Sequence, residues 1–218
     1  DQKVRRVVTL STDKASSPIN LYGATKLASD KLFIASNSYA GGQNTRFAVV
    51  RYGNVMGSRG SVIPHFISLA DQSALPITDP DMTRFMISLD PGVELVWRAF
   101  DEMVGGEIFV KKIPSMRVTD IAAAIAPDAR HDIVGIRPGE KLHEQMISAD
   151  DAHHTYEYDG YFKVLPAIHN WGNDIRRIKY GKKVPQGFVY DSSTNSEWMS
   201  VEELRAWVAT NRDVIGTF

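Results

Sequence analysis

Two short apolar runs on either side of a helical stretch constrain the fold of this chain most strongly. The β-branched run 6–10 and the apolar run 47–52 are typical of buried strands. Between them a helix is predicted over 21–36, because apolar residues recur at the spacing of one buried helix face: Leu21, Ala24, Ala28, Leu32 and Ala35. A strand, a helix and a second strand in this order predict parallel strands of an α/β sheet.

The rest of the sequence also predicts a mixture of strands and helices. We predict strands over 83–89 and 107–112 and a short helix near Pro64. The segment 133–136 leads into a turn at 137–140, and another short helix is predicted behind that turn. Further predicted helices run from an N-cap at Asp90 to Met103, over 120–126 after Thr119, and over 201–209 after a capping box of Ser200 and Glu203. The polar and aromatic stretch 148–198 gives no clear assignment.

Composition excludes several classes of function. The 218 residues carry a net charge of −1, so no basic field argues for nucleic acid or a membrane surface. Cysteine is absent, which excludes a disulfide scaffold, a thiolate metal site and a cysteine nucleophile. No apolar stretch approaches the roughly 20 residues that span a bilayer.

The histidines do not predict a metal site. His143 is not the first residue of an H-E-x-x-H motif, and the adjacent pair His153–His154 is a poor chelate.

Tyr22 and Lys26 form the first candidate pair for chemistry. Residues four apart lie on about the same face of a helix, so a phenol and an ammonium group would be neighbours. A phenol ordinarily titrates near pH 10, and a cation within about 4–6 Å favours its ionised form. Such a pair can serve as a general base for a substrate hydroxyl. On its own the pair is a weak signal, since chance also produces it.

Asp13 and Lys14 form the second candidate pair. They directly follow the first predicted strand, and ligands of open α/β sheets bind beyond the carboxyl ends of the strands. Both side chains would therefore project into the crevice that the helix of Tyr22 borders. The alternative is a solvated Asp–Lys pair at a strand end, with Lys14 at most holding a ligand.

Six ordered motifs give the chain a family resemblance: STDKA, PINLYGATK, RYGNVMGSRGSV, MTRF, EIFVKKIPSM and GIRPGEKLHE. They resemble the inverting UDP-N-acetylglucosamine 4,6-dehydratases of the pseudaminic acid pathway, within the extended short-chain dehydrogenase/reductases. The resemblance covers about residues 6–148 and continues more weakly beyond. Related dehydratases often carry Met at the position of Tyr22, so this tyrosine favours the pseudaminic-type enzyme.

The resemblance implies a fold and a domain organisation. The expected fold class is α/β, comprising the C-terminal part of a Rossmann-type doubly wound parallel sheet plus a smaller α/β substrate domain. The remainder of the dinucleotide-binding domain is expected at 1–55 and about 88–113, and the UDP-sugar domain at about 56–87 and 114–218. Family members have a Gly-rich phosphate-binding loop in preceding residues, and this sequence contains no equivalent of it. We therefore expect an N-terminally truncated dehydratase, inactive without the missing part.

The resemblance also implies residue roles, partners and location. Asp13, Lys14, Tyr22 and Lys26 are the expected catalytic residues, with Lys14 as the base at C5 of the sugar and Asp13 as the acid for the departing 6-hydroxyl. Tyr22, Lys26 and Val55 are expected to bind NADP. The expected contacts of UDP-N-acetylglucosamine are Asn54, Arg59, Arg84, Arg137 and Glu140. A cytoplasmic homo-oligomer, such as a hexamer, is implied as well.

Several alternatives stay open at this point. The chain could be a non-catalytic nucleotide-sugar-binding fragment, a retaining 4,6-dehydratase or a 4-epimerase. The Asp13–Lys14 pair argues against the epimerase, which has no water to eliminate and needs no second acid and base. The sequence does not separate NADP from NAD, nor does it decide whether Asp13 or Lys14 returns the proton to C5.

Overall fold

The computed structural model describes residues 3–40, 44–167 and 175–217. It divides the chain into two compact units, each assembled from three separate segments. The first unit comprises 1–52, 90–112 and 145–190, and the second comprises 53–89, 113–144 and 191–218.

Strands and helices alternate along the described chain. The strands are β1 (Arg6–Thr12), β2 (Arg46–Tyr52), β3 (Asn54–Val55), β4 (Ala74–Ile77), β5 (Thr83–Ile87), β6 (Ile108–Lys111), β7 (Ser115–Arg117), β8 (Arg130–Ile133), β9 (Gln145–Ile147), β10 (Thr155–Tyr158), β11 (Tyr161–Val164), β12 (Lys182–Lys183) and β13 (Tyr190–Asp191). The α-helices are α1 (Leu21–Tyr39), α2 (Val62–Ser68), α3 (Leu89–Glu102), α4 (Val118–Ile125), α5 (Ile175–Ile178) and α6 (Val201–Thr210). Two 3-10 turns cover Asp13–Ala15 and Asp151–His154.

The first unit is built on a six-stranded sheet in the order β1-β2-β6-β11-β10-β12. β1, β2 and β6 run parallel, as the strand–helix–strand pattern predicted, and β11, β10 and β12 continue the sheet antiparallel. β2 is buried from Ala48 to Arg51, which is typical of a parallel strand covered on both faces. Its apolar residues pack with Leu95 and Ala99 of α3 and with Phe109 of β6. The α/β fold class predicted from the sequence is thus confirmed.

The buried face of α1 differs from the predicted one. Leu21, Ala24, Ala28 and Leu32 are exposed, and the buried positions are Gly23, Asp30 and Ile34. The helix carries two stripes with the same period, and periodicity alone does not tell which stripe faces the sheet. Because Asp30 is charged, the sequence pattern did not indicate that the stripe containing it is the buried one.

The hairpin of β10 and β11 gives structure to a stretch that the sequence left unassigned. Lys163 of β11 is buried, with its ammonium 3.1 Å from Glu102 Oε2 and 4.8 Å from the Tyr158 ring centroid. The Tyr161 hydroxyl donates to the same carboxylate at 2.5 Å, and the two tyrosine rings stack. Burial, followed by the charge of Glu102, raises the pKa of Tyr158 to about 12.

The second unit contains small sheets rather than a single large one. β3 pairs parallel with β5, β5 pairs antiparallel with β7, and β4 pairs parallel with β8. Its core gathers side chains from α2, β5, α4 and α6, including Phe66, Met86, Ile121 and Leu204. α6 begins with the predicted capping box, in which Ser200 Oγ accepts from the backbone N–H of Glu203 and Glu203 accepts from that of Ser200.

Several predicted boundaries are wrong in detail. α3 begins at Leu89, so Asp90 lies inside its first turn, and α4 begins at Val118 after Arg117. The segment 133–136, which leads into the turn 137–140, contains only the last residue of β8. No helix follows the turn at 137–140 within the described residues 140–144.

The compact units and the predicted domains divide the chain differently in one segment. Residues 145–190 lie in the first unit, whereas the sequence placed them with the substrate domain. The reason is that β11 extends the large sheet by pairing with β6. Across 3–40, 44–167 and 175–217, no helix has the length and hydropathy needed to cross a membrane.

Candidate active site

The carboxyl end of β1 turns directly into the 3-10 turn that carries the Asp13–Lys14 pair. Asp13 is fully buried, and its Oδ1 accepts from the Thr12 hydroxyl at 2.5 Å and from Lys14 Nζ at 3.1 Å. Asp13 Oδ2 is buried without a hydrogen-bond partner in the described part of the chain. The Lys14 side chain is about one third exposed. One carboxylate oxygen is thus held in place while the other is left for a further donor.

Thr12 is a residue that the sequence analysis did not single out. Its hydroxyl donates to Asp13 and also accepts from the backbone N–H of Lys14 at 3.4 Å. The residue therefore fixes both members of the acid–base pair. Its position at the last residue of β1 was the only signal in the sequence, and a threonine at a strand end is common.

Helix α1 presents the Tyr22–Lys26 pair at its first turn. Asn20 caps the helix by accepting from the backbone N–H of Gly23 at 2.7 Å. Tyr22 is 54% exposed, and Lys26 Nζ lies 5.8 Å from the centroid of its ring. The four-residue spacing thus brings phenol and ammonium together on one side of the helix. The exposed hydroxyl and the nearby cation form a donor set that fits the ribose and nicotinamide end of a dinucleotide.

Gly23 brings the two candidate pairs together within the first unit. A Cβ at this position would lie 2.5 Å from the backbone oxygen of Lys14 and 2.9 Å from Cβ of Pro18. Real Cβ atoms do not approach other atoms this closely, so only glycine permits the packing of the helix against the turn. The first turn of α1 therefore lies directly against the turn that carries the acid and the base.

A buried ionic cluster lies beneath these pairs and was missed by the sequence analysis. Arg51, near the end of β2, is 2% exposed, and its Nη2 lies 3.0 Å from Oδ2 of Asp30, which is 1% exposed. The same Asp30 oxygen accepts from the Ser11 hydroxyl at 2.9 Å. Arg51 Nη1 donates to the Met146 carbonyl at 2.6 Å. An aspartate inside a helix pattern resembles a surface residue, so only the fold reveals the cluster.

The second unit carries the residues expected to hold a nucleotide sugar. Asn54 and Val55 form β3, which pairs with Met86 and Ile87 of β5. The loop after β3 begins at Gly57, whose φ of +76° requires glycine. Gly57 accepts from the backbone N–H of Gly216 at 2.7 Å, and Arg59 is exposed at the tip of the loop.

Arg84 is engaged within the second unit. Its Nη1 donates to the backbone carbonyls of Thr83 at 2.7 Å and Leu142 at 3.1 Å, and its Nη2 lies 3.6 Å from Glu140 Oε1. The side chain is only 8% exposed. In this chain Arg84 therefore stabilises the segment that follows the turn 137–140 by hydrogen bonding to it.

Arg137 and Glu140 delimit that turn. The backbone N–H of Arg137 donates to Glu140 Oε2 at 3.4 Å, and Arg137 is exposed. Its guanidinium makes no ion pair with the residues of 3–40, 44–167 and 175–217. A fork of charge-assisted donors in an exposed loop suits a diphosphate.

Histidines do not assemble a metal centre in the described chain. Nδ1 of His143 shares a hydrogen bond of 2.9 Å with the Thr83 hydroxyl, which also bonds to Ser192 at 2.7 Å. No group of three or more metal-ligating side chains occurs among the described residues. His143 therefore serves the packing of β5 in this structure.

Comparison with known proteins identifies the family of the chain and finds relatives that are named as enzymes of nucleotide sugars. A family model described as polysaccharide biosynthesis protein matches residues 1–166. A UDP-N-acetylglucosamine 4,6-dehydratase (inverting) from Campylobacter jejuni subsp. jejuni serotype O:2 is 55% identical over 92% of this chain and 62% of its own length. A UDP-glucose 4-epimerase from Rickettsia akari is 37% identical over 96% of this chain and 63% of its own. The chain thus spans less than two thirds of these curated relatives.

Among solved structures, the X-ray structure of Pen from Bacillus thuringiensis superposes with a TM-score of 0.84 at 32% identity. The match covers 97% of this chain and 64% of that chain.

Proposed function

The chain belongs to the polysaccharide biosynthesis protein family, and from that premise we propose that it is part of a UDP-N-acetylglucosamine 4,6-dehydratase that inverts C5. The identity to the Campylobacter jejuni protein of that name supports the substrate and the reaction. The proposal includes NADP as cofactor, a homo-oligomeric state such as a hexamer, a cytoplasmic location and a place in pseudaminic acid biosynthesis. These follow from the resemblance of the motifs.

One observation carries the proposal. Two chemically distinct proton-transfer pairs, Asp13–Lys14 and Tyr22–Lys26, lie on adjacent turns of the same unit, in contact through Gly23. A simple oxidation or epimerisation at C4 needs one such pair. An elimination that follows an oxidation needs a second acid and base, and this chain provides both.

The donor set on α1 fits a nicotinamide cofactor, and we propose that Tyr22, Lys26 and Val55 contact it. When bound, the cofactor supplies reversible hydride transfer, first at C4 and finally at C6 of the sugar. The protein residues then have only to bind, orient and move protons.

Tyr22 would take the proton of the 4-hydroxyl as that carbon is oxidised. The ammonium of Lys26 lies beside the Tyr22 ring, 5.8 Å from its centroid. The resulting 4-ketone makes the C5 proton acidic, because the carbanion left by its removal becomes an enolate. General acid–base steps of this kind contribute about 10²–10⁴-fold each.

Asp13 and Lys14 would perform the elimination as a couple. Transfer of one proton across the 3.1 Å contact converts the ion pair into a neutral amine and a carboxylic acid. The amine of Lys14 then removes the C5 proton, and Asp13 protonates the departing 6-hydroxyl, so water leaves and the ion pair is restored. Oδ1 of Asp13, which takes the proton from Lys14, is therefore the atom we assign to the departing 6-hydroxyl. Delivery of a proton from Asp13 or Lys14 to the opposite face of C5 would then invert that centre.

Residues of the second unit would hold the UDP part. We assign the diphosphate to Arg137, with Arg59 as a further cation at the loop tip, and the ribose hydroxyls to Glu140. Asn54 would contact the sugar. Arg84 is assigned to the support of the turn 137–140, since its guanidinium is already bonded to backbone carbonyls.

A 4-epimerase is the second candidate, because the Rickettsia akari relative carries that name. It would use Tyr22 and Lys26 alone and would return the hydride to C4. The product would then have the mass of the substrate, so one measurement separates the two reactions.

The test is mass spectrometry of UDP-N-acetylglucosamine incubated in D₂O with the full-length natural protein and NADP. We expect a nucleotide sugar that has lost one water and gained deuterium from the solvent. Tyr22→Phe and Lys14→Met should each lower the rate by about 10²-fold or more. Tyr39→Phe is the matched control, since Tyr39 is an exposed tyrosine at the far end of the same helix.

Three results would decide against the dehydratase. A product of unchanged mass with an inverted C4 would establish the epimerase instead. An unchanged sugar from intact protein would favour the non-catalytic binding fragment. Equal rates for Lys14→Met and the unaltered protein would remove Lys14 from the mechanism.

A further inference from the structure

We propose that Asp30 and Arg51 are positioning residues for the catalytic groups, acting through a buried ion pair that locks helix α1 against the ends of β1 and β2. This inference rests on the proposed function, because it concerns the geometry of the same site. Neither residue belongs to the acid–base pairs themselves. Both are buried, so their effect on a bound sugar has to be transmitted through the backbone elements that they join.

The contacts of the pair connect the elements that carry the chemistry. Asp30 lies one helical turn beyond Lys26, on the inner face of α1. Its Oδ2 bonds to Ser11, two residues before Asp13, at 2.9 Å, and to Arg51 at 3.0 Å. A single carboxylate oxygen therefore fixes the helix of one pair to the strand of the other.

Arg51 extends the same restraint to the far side of the 3-10 turn. Its Nη1 donates to the carbonyl of Met146 in β9 at 2.6 Å. The neighbouring residue of β9, Gln145, accepts from the Ser17 hydroxyl at 2.8 Å through Oε1. The turn that carries Asp13 and Lys14 is thus held from both sides, by Ser11 before it and Ser17 after it. Arg51 is the group that joins these two restraints.

The energetics of buried ions favour a geometric role over a stabilising one. Removing two charges from water costs about as much as their attraction returns, and apolar residues of equal volume often stabilise a core more. Arg51 Nε even remains without a hydrogen-bond partner in the described residues, a cost that a purely stabilising core would avoid. Unlike apolar packing, an ion pair fixes the register between the elements that it joins. Here those elements carry Tyr22, Lys26, Asp13 and Lys14.

The experiment compares two buried ion pairs of the same unit in the full-length protein. Asp30→Asn breaks the proposed positioning pair. Glu107→Gln is the matched control: Glu107 is 1% exposed and its Oε1 lies 2.7 Å from Arg177. Glu107 accepts from the backbone N–H groups of Val104 and Gly105, before β6. A double variant, Asp30→Asn with Arg51→Gln, removes both charges, so that the buried Arg51 cation is not left with only its 3.8 Å contact to Asp151 Oδ2.

The kinetic readout is the split between kcat and KM for UDP-N-acetylglucosamine, measured well below the unfolding temperature of each variant. We expect kcat to fall by about 10²-fold in Asp30→Asn and in the double variant, because a misplacement near 1 Å has that effect. KM should stay within about twofold, since the residues assigned to UDP are untouched. Glu107→Gln should retain kcat. Equal kcat losses in both ion pairs, or an unchanged kcat in the double variant, would overturn the positioning role.

A second readout does not need activity. The protein is labelled with 3-fluorotyrosine, and the ¹⁹F resonance of Tyr22 is assigned through Tyr22→Phe. We expect this resonance to move in Asp30→Asn and in the double variant and to stay in place in Glu107→Gln. If the full-length protein does not dehydrate the sugar, the proposed function fails and this comparison alone decides: a displaced resonance supports the positioning role, and an unmoved one refutes it.

Discussion

Replacing Gly23 with alanine tests the geometry of the site with one added carbon. Gly23 lies between Tyr22 and Lys26 on α1 and faces the turn that carries Lys14. The new Cβ would lie 2.5 Å from the Lys14 backbone oxygen and 2.9 Å from Cβ of Pro18. Neither neighbour is the flexible end of a long side chain, so the helix and the turn must separate.

The size of the separation sets the expected effect. Ordinary contacts begin near 3.4–3.5 Å, so the two elements must move apart by roughly 0.5–1 Å. Overpacking of this kind costs about 1–3 kcal/mol, and the greater helix propensity of alanine offsets at most about 1 kcal/mol. We therefore expect a net destabilisation of about 0–3 kcal/mol. The displacement of the two catalytic pairs should lower kcat by about 10–100-fold.

The assay pairs thermal unfolding with steady-state dehydration by the full-length protein. Ala24→Ser is the control, because it adds one heavy atom at an exposed position of the same helix turn. A large loss of kcat with a small loss of stability is expected only for Gly23→Ala. Retention of kcat within about twofold, together with a raised unfolding temperature, would refute the reasoning, since it would mean that the turn yields without disturbing the site.

Three further outcomes follow from packing and charge. Ser200→Ala should lower the free energy of unfolding by about 0.5–2 kcal/mol, because it removes the hydrogen bond to the backbone of Glu203; urea unfolding measures it. Leu204→Ala should cost about 2–5 kcal/mol in the same assay, because Leu204 is fully buried in the core of the second unit. Tyr158 keeps its proton to about pH 12 in the folded chain, against about 10 unfolded, so its contribution is complete below pH 10 and is lost between pH 10 and 12. Unfolding midpoints measured across that range should fall less steeply in Tyr158→Phe, and an equal slope would contradict the assignment.

Features that depend on a few neighbouring residues could be read from the sequence. The capping box at Ser200 and the parallel pairing of β1 with β2 were predicted, because side-chain capping and apolar strand runs are local signals. The Tyr22–Lys26 neighbourhood also follows from helix geometry alone.

Features that depend on contacts between residues remote in the chain could not be predicted from the sequence. The buried role of Asp30 requires Arg51, which lies on another element, so the helix pattern favoured the wrong face. β10 and β11 contain alternating charged and aromatic residues, and the burial of Lys163 depends on Glu102 from a distant helix. In the same way, the burial of Arg84 depends on a hydrogen bond from its guanidinium to the carbonyl of Leu142. A charged residue in a sequence indicates the surface until its partner is known.

The interleaving of the two compact units has a consequence for how the protein can be dissected. The chain passes from one unit to the other five times, so each unit is made of three segments that are remote in sequence. A single protease cut between residues 54 and 189 leaves both resulting fragments with pieces of each unit. Limited proteolysis releases intact domains where they follow one another along a chain, but no single cut here can release both units intact. Neither unit can be expressed alone by shortening the gene at one end, and any attempt to recombine them between relatives must exchange several separate stretches at once.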